Sequence, residues 1–149
     1  MRAILQRVSQ ASVSVDGQVT GAIAQGLLVL LGMAKGDTAK DADYLVEKVT
    51  HLRIFQDSNG KMNLSILDIG GEILVVSQFT LYADCRKGRR PSFDQAAPPE
   101  DARRLYDYFL AQAALTGLRI AAGVFQADMR VSLTNMGPVT LIVESDHLK

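Results

Sequence analysis

The chain has 149 residues, with 16 Lys and Arg against 16 Asp and Glu, 48% hydrophobic residues, one Cys and two His. This composition is typical of a single globular domain, and a chain of this length can bury a sufficient core without metal or disulfide bonds. One Cys and two His exclude a disulfide framework and a four-ligand zinc site, and the net charge of +0 excludes a general coat for nucleic acid. No apolar run approaches the roughly 18 to 20 residues of a membrane helix, and the amino terminus lacks a signal-peptide pattern. We therefore expect a cytoplasmic protein with no membrane partner, no metal and no cofactor.

The first part of the chain has the pattern of β-strands. Residues 4–15 place Ile and Val among Ser and Gln, the pair Asp16-Gly17 predicts a hairpin turn, and residues 19–24 should pair back. The continuous apolar run from Gly26 to Met33 predicts a central strand buried on both faces, although a short buried helix can have the same pattern.

Two helices are predicted further along the chain. The first runs from about residue 39 to 51 with Thr38 as its cap, and the second begins near residues 98–101 and ends at Gly117. Each carries an apolar stripe at helical spacing. The stripe positions are Ala42, Leu45, Val46, Val49 and Leu52 in the first helix, and Ala102, Leu105, Tyr106, Phe109 and Ala113 in the second.

The remaining segments complete a strand-rich pattern. Residues 58–60 form a predicted turn, and residues 72–83, dense in β-branched and aromatic side chains, predict the strongest strand. The last third predicts strand, loop, strand, a tight turn at 135–138 and a final strand. The predicted fold class is α+β, a single domain of antiparallel or mixed sheets curved into a sandwich or open barrel with two main helices packed on it.

The usual catalytic side chains are sparse. We predict that His51 and His147 are ordinary surface residues, and that Cys85 is a plain thiol although basic residues follow it. The carboxylates fall on predicted solvated faces or element ends and suggest no acid and base pair; they are Asp41, Asp43, Asp101, Asp107, Glu144 and Asp146. The glycine patterns of phosphate-binding loops are also missing.

A basic cluster follows the strongest strand. It consists of Arg86, Lys87, Arg89 and Arg90 around Gly88. A run of charges is commonly a solvated loop. The alternative is a phosphate clamp that holds a nucleic-acid backbone.

Two polar segments interrupt apolar strands. One contains Ser77, Gln78 and Thr80, and the other contains Thr134, Asn135, Gly137 and Pro138. Buried polar groups need hydrogen-bond partners or must line a cavity. A Pro cannot donate to a sheet, so Gly137-Pro138 predicts a special turn, and a cis peptide is far more accessible there than elsewhere.

The segments SQFTL (77–81) and NMGPVT (135–140) together resemble the signature pair of the D-aminoacyl-tRNA deacylases. The opening MRAILQRV and the total length also match, so the resemblance covers essentially the whole chain. It implies hydrolysis of the ester that joins a D-amino acid to the terminal adenosine of tRNA. It also implies a homodimer in which each subunit inserts a cis Gly137-Pro138 motif into its partner's active site.

In this family the motif implies chiral selection by exclusion. An L side chain would collide with the carbonyl oxygens of Gly137 and Pro138, whereas a D side chain points away. Glycine has no side chain to exclude, so glycine mischarged on alanine tRNA is an expected second substrate.

The resemblance also implies a mechanism without a side-chain base. The ribose 2′-OH would help activate water, and main-chain N–H groups around Ser77, Gln78 and Phe79 would form an oxyanion hole. Two alternatives stay open at this point. Thr80 could act as a nucleophile, although no nearby base is evident, or the chain could be a non-catalytic RNA-binding module.

Other positions follow the family pattern. Arg7 resembles a residue that braces the Gly-Pro loop, Phe125 an aromatic near the adenine, and Met129 and Asn135 residues of the same pocket. Each could instead be structural: Arg7 a charge on a strand face, Phe125 and Met129 core residues. The cluster of Arg86, Lys87, Arg89 and Arg90 would contact the tRNA backbone.

Overall fold

A long bent strand organises the sheet in the computed structural model, which describes residues 1–146. This strand, β1 (Arg2–Val15), pairs antiparallel with β2 (Gln18–Ile23) through its second half and with β3 (Gly26–Gly32) through its first half. On its other edge, β1 pairs antiparallel with β8 (Arg130–Glu144). The predicted hairpin at Asp16-Gly17 and the central strand are confirmed.

The sheet continues in parallel from β3. Strands β6 (Glu72–Ser77) and β7 (Arg119–Ala122) extend it in the order β2-β1-β3-β6-β7. The two ends of this order approach each other, and Arg119 Nη1 donates a hydrogen bond of 2.8 Å to the carbonyl oxygen of Ala22 in β2. The sheet is therefore mixed and nearly closed, which confirms the predicted α+β open barrel.

Two long helices cover one face of the sheet, as predicted. They are α1 (Ala39–His51) and α3 (Pro99–Ala114). Thr38 and Asp41 form the capping box of α1. The helices connect the parallel strands, and their apolar stripes are buried against the sheet, apart from the half-buried Leu52; the buried members are Ala42, Leu45, Val46, Val49, Ala102, Leu105, Tyr106, Phe109 and Ala113.

Three short elements lie between α1 and β6 and were not predicted. Strands β4 (Phe55–Gln56) and β5 (Met62–Leu64) form a small hairpin around the predicted turn at 58–60. The single-turn helix α2 (Ile66–Ile69) follows, capped by the Ser65 hydroxyl, which accepts a hydrogen bond of 3.1 Å from the Asp68 amide. Elements this short carry too few residues to show a periodic pattern.

The predicted strand over 72–83 is wrong in its second half. Strand β6 ends at Ser77, and residues Phe79–Tyr82 form a 3-10 helix. The reason is the length of its neighbour, because β3 ends at Gly32 and leaves no strand edge for residues after 78 to pair with. A 3-10 turn then satisfies local hydrogen bonds where the strand propensity of Phe79–Tyr82 predicted a ladder.

The prediction of two strands separated by a tight turn at 135–138 is also wrong. A single strand, β8, pairs with β1 on both sides of this segment, with Asn135 opposite Val8 and Thr140 opposite Gln6. Residues 136–139 therefore form an outward loop opposite one residue of β1, which we call the Gly-Pro loop. The Asn135 side chain closes it, accepting a hydrogen bond of 3.0 Å from the Val139 amide and donating one of 2.9 Å to Thr140 Oγ1.

The prediction that Asp41 is solvated is wrong as well. Its side chain is buried and accepts a hydrogen bond of 2.6 Å from the Ser145 hydroxyl. The ammonium group of Met1 lies beside it, 2.9 Å from Asp37 Oδ1 and 3.9 Å from Asp41 Oδ1. Burial alone would raise the pKa of Asp41, but hydrogen bonds from Ser145 and Thr38 lower it below its usual value. The helical pattern placed Asp41 off the apolar stripe and could not show this polar cluster.

Other predicted surface positions are confirmed for the described residues. His51 is exposed, as are Cys85, Asp43, Asp101 and Asp107. His147 lies outside the described residues. No helix in the described part of the chain is long and apolar enough to cross a bilayer.

Candidate active site

A cavity of about 700 Å³ opens where β6 ends. Ser77, Gln78 and Phe79 line one side, and Phe125 and Met129, from the segment between β7 and β8, line another. Five of the predicted site residues thus meet in one cavity although they come from distant parts of the chain. The other lining residues are Met33, Lys35, Val76, Phe93, Ala96, Ala97, Pro98, Pro99, Ala102, Gln126, Ala127 and Val131.

The backbone at the start of the 3-10 helix offers hydrogen-bond donors beside the cavity. The Gln78 amide is already occupied, because it donates to the Leu31 carbonyl at 2.8 Å. The next two amides, of Phe79 and Thr80, are the first of the 3-10 helix and have no acceptor within it. Gly32 allows this segment to pack closely, since a Cβ there would lie 3.0 Å from the Gln78 carbonyl oxygen.

Thr80 is exposed and does not line the cavity. Its hydroxyl accepts a short hydrogen bond from the Gln78 side-chain amide. No imidazole or carboxylate within residues 1–146 hydrogen-bonds the Thr80 hydroxyl. The His51 ring instead contacts Thr50 Oγ1 and the Glu47 carbonyl, each at 3.0 Å, on α1.

An aromatic wall forms the side of the cavity that faces α3. The ring of Phe125 is half-buried and lies 5.7 Å from the ring of Tyr106, while the Arg103 guanidinium lies 5.4 Å from its centroid. The Tyr106 hydroxyl donates a hydrogen bond of 3.0 Å to the Val75 carbonyl, and burial raises the pKa of this phenol to about 12. Tyr106 is therefore a fixed neutral support, and Phe125 presents an aromatic surface to the cavity.

One side of the cavity rim is aromatic and leads to the basic cluster. Phe79 and Phe93 are 57% and 36% exposed, and their rings meet edge to face with centroids 5.1 Å apart. Asp84 and Ser92 pair as an isolated bridge just before Phe93 and so close a loop that contains the basic cluster.

The members of the basic cluster differ in their surroundings. The Arg86 guanidinium donates to both carboxylate oxygens of Asp84, at 2.9 and 2.7 Å, and these hydrogen bonds hold the pKa of Asp84 well below its usual range. Lys87, Arg89 and Arg90 are exposed. The charge of Arg86 is thus largely balanced within the loop, which leaves the other three as the stronger candidates for phosphate contacts.

The Gly-Pro loop does not line this cavity. Its Gly137-Pro138 peptide bond is cis, and Gly137 has a φ of +122°. Arg7 supports the loop from β1, donating through Nε to the Met136 carbonyl at 3.0 Å and through Nη1 to the Ile54 carbonyl at 2.7 Å. Met136, Gly137 and Pro138 are exposed, so the loop projects from the surface of the chain. Arg7, Asn135, Gly137 and Pro138 therefore form a second group of predicted site residues, separate from the cavity.

Comparison with known proteins identifies the family. The model of the family described as D-Tyr-tRNA(Tyr) deacylase matches residues 4–144. The chain belongs to this deacylase family. Curated relatives named D-aminoacyl-tRNA deacylase include one from Geotalea uraniireducens, 60% identical over 100% of this chain and 96% of the relative, and one from Koribacter versatilis, 59% identical over 97% of each.

Solved structures share the fold of this chain. A structure titled c-Myc DNA Unwinding Element Binding Protein is 44% identical, covers 97% of this chain and 99% of its own, and superposes with a TM-score of 0.92. A second, titled as a probable eukaryotic D-amino acid tRNA deacylase, has a TM-score of 0.82 over 96% of this chain and 98% of its own. Its 19% identity supports the shared fold alone.

The cavity at the end of β6 also includes residues that the sequence did not indicate. Lys35 follows β3, and Phe93, Ala96 and Pro98 precede α3. These positions lie in loops without periodic pattern, and only the sheet topology brings them to the end of β6. In the described part of the chain, no group of three or more His, Cys, Asp or Glu side chains is placed to hold a metal ion.

Proposed function

We propose that this chain is a hydrolase that cleaves the ester between a D-amino acid and the 3′-terminal adenosine of tRNA, releasing both. Family membership and about 60% identity to named D-aminoacyl-tRNA deacylases support this activity. The single observation that carries the local argument is the cavity itself. It joins the Phe79 backbone, just after β6, to the aromatic wall of Phe125, and so offers an ester-binding end and a base-binding end in one space.

In the proposed reaction the substrate supplies its own activating group. A water oxygen attacks the ester carbonyl carbon while the ribose 2′-OH helps remove a water proton. The bond to the ribose 3′-oxygen then breaks, and that oxygen leaves with a proton. The amide of Phe79 is the proposed donor to the transient oxyanion, because Phe79 lines the cavity and the Gln78 amide is already bonded to Leu31.

The position of Thr80 argues against its use as a nucleophile. Its hydroxyl is exposed, lies outside the cavity lining and accepts a hydrogen bond from Gln78. An activated nucleophile needs a base within hydrogen-bond reach. We therefore assign the Thr80 hydroxyl no covalent role.

The Gly-Pro loop is proposed to read chirality in the partner subunit's cavity. The loop is exposed and lies outside the cavity of its own chain, which favours insertion into a second copy. There the carbonyl oxygens of Gly137 and Pro138 would exclude an L side chain and admit a D side chain. Glycine would pass the same test, so glycine mischarged on alanine tRNA is a proposed substrate.

Strand β8 is the proposed centre of the homodimer. Within the described sheet β8 pairs with β1 alone, which leaves its other edge without a strand. Exposed apolar side chains accompany this edge, including Ile142 at 67% and Met136 at 47% exposure. A second copy that covers this face would bury them and place the Gly-Pro loop beside the partner's cavity.

The acceptor end of tRNA has two proposed contacts. Phe125 would lie against the terminal adenine, with Met129 beside it, and Lys87, Arg89 and Arg90 would contact phosphates further along the strand. A cytoplasmic location remains a prediction from the sequence.

The test is a comparison of matched D-tyrosyl-tRNA and L-tyrosyl-tRNA with catalytic amounts of protein. We expect rapid multiple-turnover loss of the D-ester and survival of the L-ester, with glycyl-tRNA(Ala) also hydrolysed. Loss of neither D- nor L-ester would refute the proposal and favour a non-catalytic RNA-binding module.

Three further measurements separate the parts of the proposal. A D-aminoacyl-tRNA that ends in 2′-deoxyadenosine should resist cleavage, and its ready hydrolysis would remove the ribose from the mechanism. Thr80→Ala should keep substantial activity, whereas complete loss would favour the nucleophile. Sedimentation should give a dimer, and a stable, active monomer would exclude the cross-subunit site.

A further inference from the structure

The cavity holds one charged side chain. Lys35 is the only Lys, Arg, Asp or Glu among the lining residues, and the rest of the lining is apolar apart from Ser77, Gln78 and Gln126. The Lys35 side chain is exposed, and it forms no salt bridge with any residue from 1 to 146. A single unpaired cation at the edge of an otherwise uncharged cavity is placed to meet an anionic group of the ligand.

The backbone around Lys35 is fixed from two sides. Its amide donates to the Gln95 carbonyl at 3.0 Å, and the neighbouring Ala34 pairs with Ala96 as an isolated bridge. On the other side, the buried Asp37 carboxylate accepts a hydrogen bond of 2.6 Å from the Ala34 amide. The backbone of Lys35 is therefore held in place, whereas its flexible four-carbon side chain can adjust its position to a bound ligand.

We propose that Lys35 binds the phosphodiester that joins the terminal adenosine to the rest of the tRNA. This inference rests on the proposed function and adds a positioning residue to it. The aminoacyl-adenosine end of tRNA is uncharged apart from its amino group, and the nearest anion is the phosphate on the 5′-oxygen of the terminal ribose. With the adenine against Phe125 and the ester beside the Phe79 amide, that phosphate would lie toward the exposed Lys35, the one charged residue of the lining. The Arg103 guanidinium near Phe125 does not line the cavity and already pairs with Asp107 at 3.1 Å.

The contact sets the depth to which the terminal nucleotide enters. A phosphate held at the mouth fixes one end of the ribose, while the adenine fixes the base. The ester then reaches the Phe79 amide in one orientation, which lowers the entropy cost of the reaction. The basic cluster cannot do this alone, because its residues lie in an exposed loop and none of them lines the cavity.

The test compares substrates with and without the phosphate. The three substrates carry the D-tyrosyl ester on the ribose: 3′-O-D-tyrosyl-adenosine (called D-tyrosyl-adenosine), the same ester of adenosine 5′-monophosphate, and D-tyrosyl-tRNA. Each is assayed with wild type, Lys35→Gln, Lys35→Arg and the control Lys40→Gln. Lys40 is an exposed residue of α1 that does not line the cavity. We expect Lys35→Gln to raise KM about 5- to 10-fold for the two phosphate-bearing substrates and to leave D-tyrosyl-adenosine unchanged.

Salt dependence and rescue complete the design. Lys35→Gln should reduce the salt dependence of log KM for D-tyrosyl-tRNA by a slope of about 0.7, the value for one contact to a single strand, and Lys35→Arg should restore most of the affinity. An equal increase in the KM of Lys35→Gln for D-tyrosyl-adenosine would overturn the proposal, because it would show that Lys35 has a role that does not involve the phosphate. Unchanged KM for all three substrates would overturn it as well. Failure of wild type to hydrolyse D-tyrosyl-tRNA would instead refute the proposed function, so the two failures are distinct.

Discussion

The substitution Gly137→Ala tests the Gly-Pro loop directly. A Cβ at this position would lie 2.7 Å from Arg7 Nη2 and 3.1 Å from Val139 Cγ2, on a backbone with φ of +122°. A non-glycine residue in such a conformation costs about 1 to 3 kcal/mol. The Arg7 guanidinium, as the end of a flexible side chain, would move and weaken its hydrogen bonds to the Met136 and Ile54 carbonyls, at about 0.5 kcal/mol for each weakened bond.

Backbone strain and weakened hydrogen bonds together cost about 2 to 4 kcal/mol of free energy, and this cost destabilises the exposed Gly-Pro loop. We expect kcat/KM for D-tyrosyl-tRNA to fall about 30-fold or more, because displacing the loop at a free-energy cost of about 2 kcal/mol corresponds to that factor. A domain of this size loses roughly 2 to 4 °C of thermal midpoint for each kcal/mol. The thermal midpoint should therefore fall by about 4 °C at the low end of this cost and by at most about 16 °C at the high end. Activity is measured as ester loss under single-turnover conditions, and stability by circular dichroism.

The matched control is Gly60→Ala. Gly60 also has a positive φ of +74°, but a Cβ there meets nothing within 4 Å, and it lies in the β4–β5 hairpin. This variant therefore carries the backbone strain without crowding of Arg7. Removing the crowding partner in Arg7→Ala should make the added cost of Gly137→Ala smaller, which a double-mutant cycle measures. Wild-type activity in Gly137→Ala, or an equal loss in Gly60→Ala, would refute this reasoning.

Three other substitutions test the cavity and the fold. Gly32→Ala would place a Cβ 3.0 Å from the Gln78 carbonyl oxygen and shift the proposed donor, the Phe79 amide. Single-turnover hydrolysis should therefore slow about tenfold, while the free energy of unfolding falls by only about 1 to 2 kcal/mol in thermal unfolding. Phe125→Ala should raise KM for D-tyrosyl-tRNA by about 5- to 100-fold through lost stacking on adenine, and an unchanged KM in steady-state assays would place the base elsewhere. Because hydrogen bonds lower the pKa of Asp41 in the folded chain, the unfolded chain takes up its proton first as pH falls below 3.8, and stability should decline through that range. Asp41→Asn should lower the free energy of unfolding by about 2 kcal/mol at pH 7 and reduce the decline of stability at acid pH. Urea titrations at several pH values measure both effects.

Periodic segments were predictable from the sequence. The helix at 39–51 matches α1, and all five apolar positions predicted for α3 are buried. These segments are long, and burial of one face is what selects their residues, so the pattern survives in the sequence. The strand at 72–83 shows the limit of such patterns. Residues 79–82 have strand propensity, but whether they extend depends on the end of β3, which a local pattern cannot contain.

The candidate site was predictable as motifs and not as geometry. The polar residues within apolar strands marked the two segments, but ordinary hydrogen bonding could explain each segment alone. Their resemblance to the deacylase signature pair predicted Ser77, Gln78, Gly137 and Pro138 as site residues. The residue pattern alone did not predict their separation into a cavity and a projecting loop, which only the resemblance implied, because the separation depends on β1, which pairs with β8 on one edge and with β3 on the other. Lys35 carried no sequence signal at all, because a lone Lys in a loop is common.

The register of β1 and β8 explains why the Gly-Pro loop needs Arg7. Four residues of β8, 136–139, lie between the pair Val8 with Asn135 and the pair Gln6 with Thr140, so only Arg7 stands opposite them. A bulge of this size leaves loop carbonyls without ladder partners, and Arg7 meets one of them at Met136 while its other arm is anchored on Ile54. A shorter side chain at this position could not reach both carbonyls. The Gly-Pro motif therefore depends on a residue far from it in the sequence. Strand β1 carries core residues, Ala3 and Leu5, and also Arg7, which supports the proposed chiral selector.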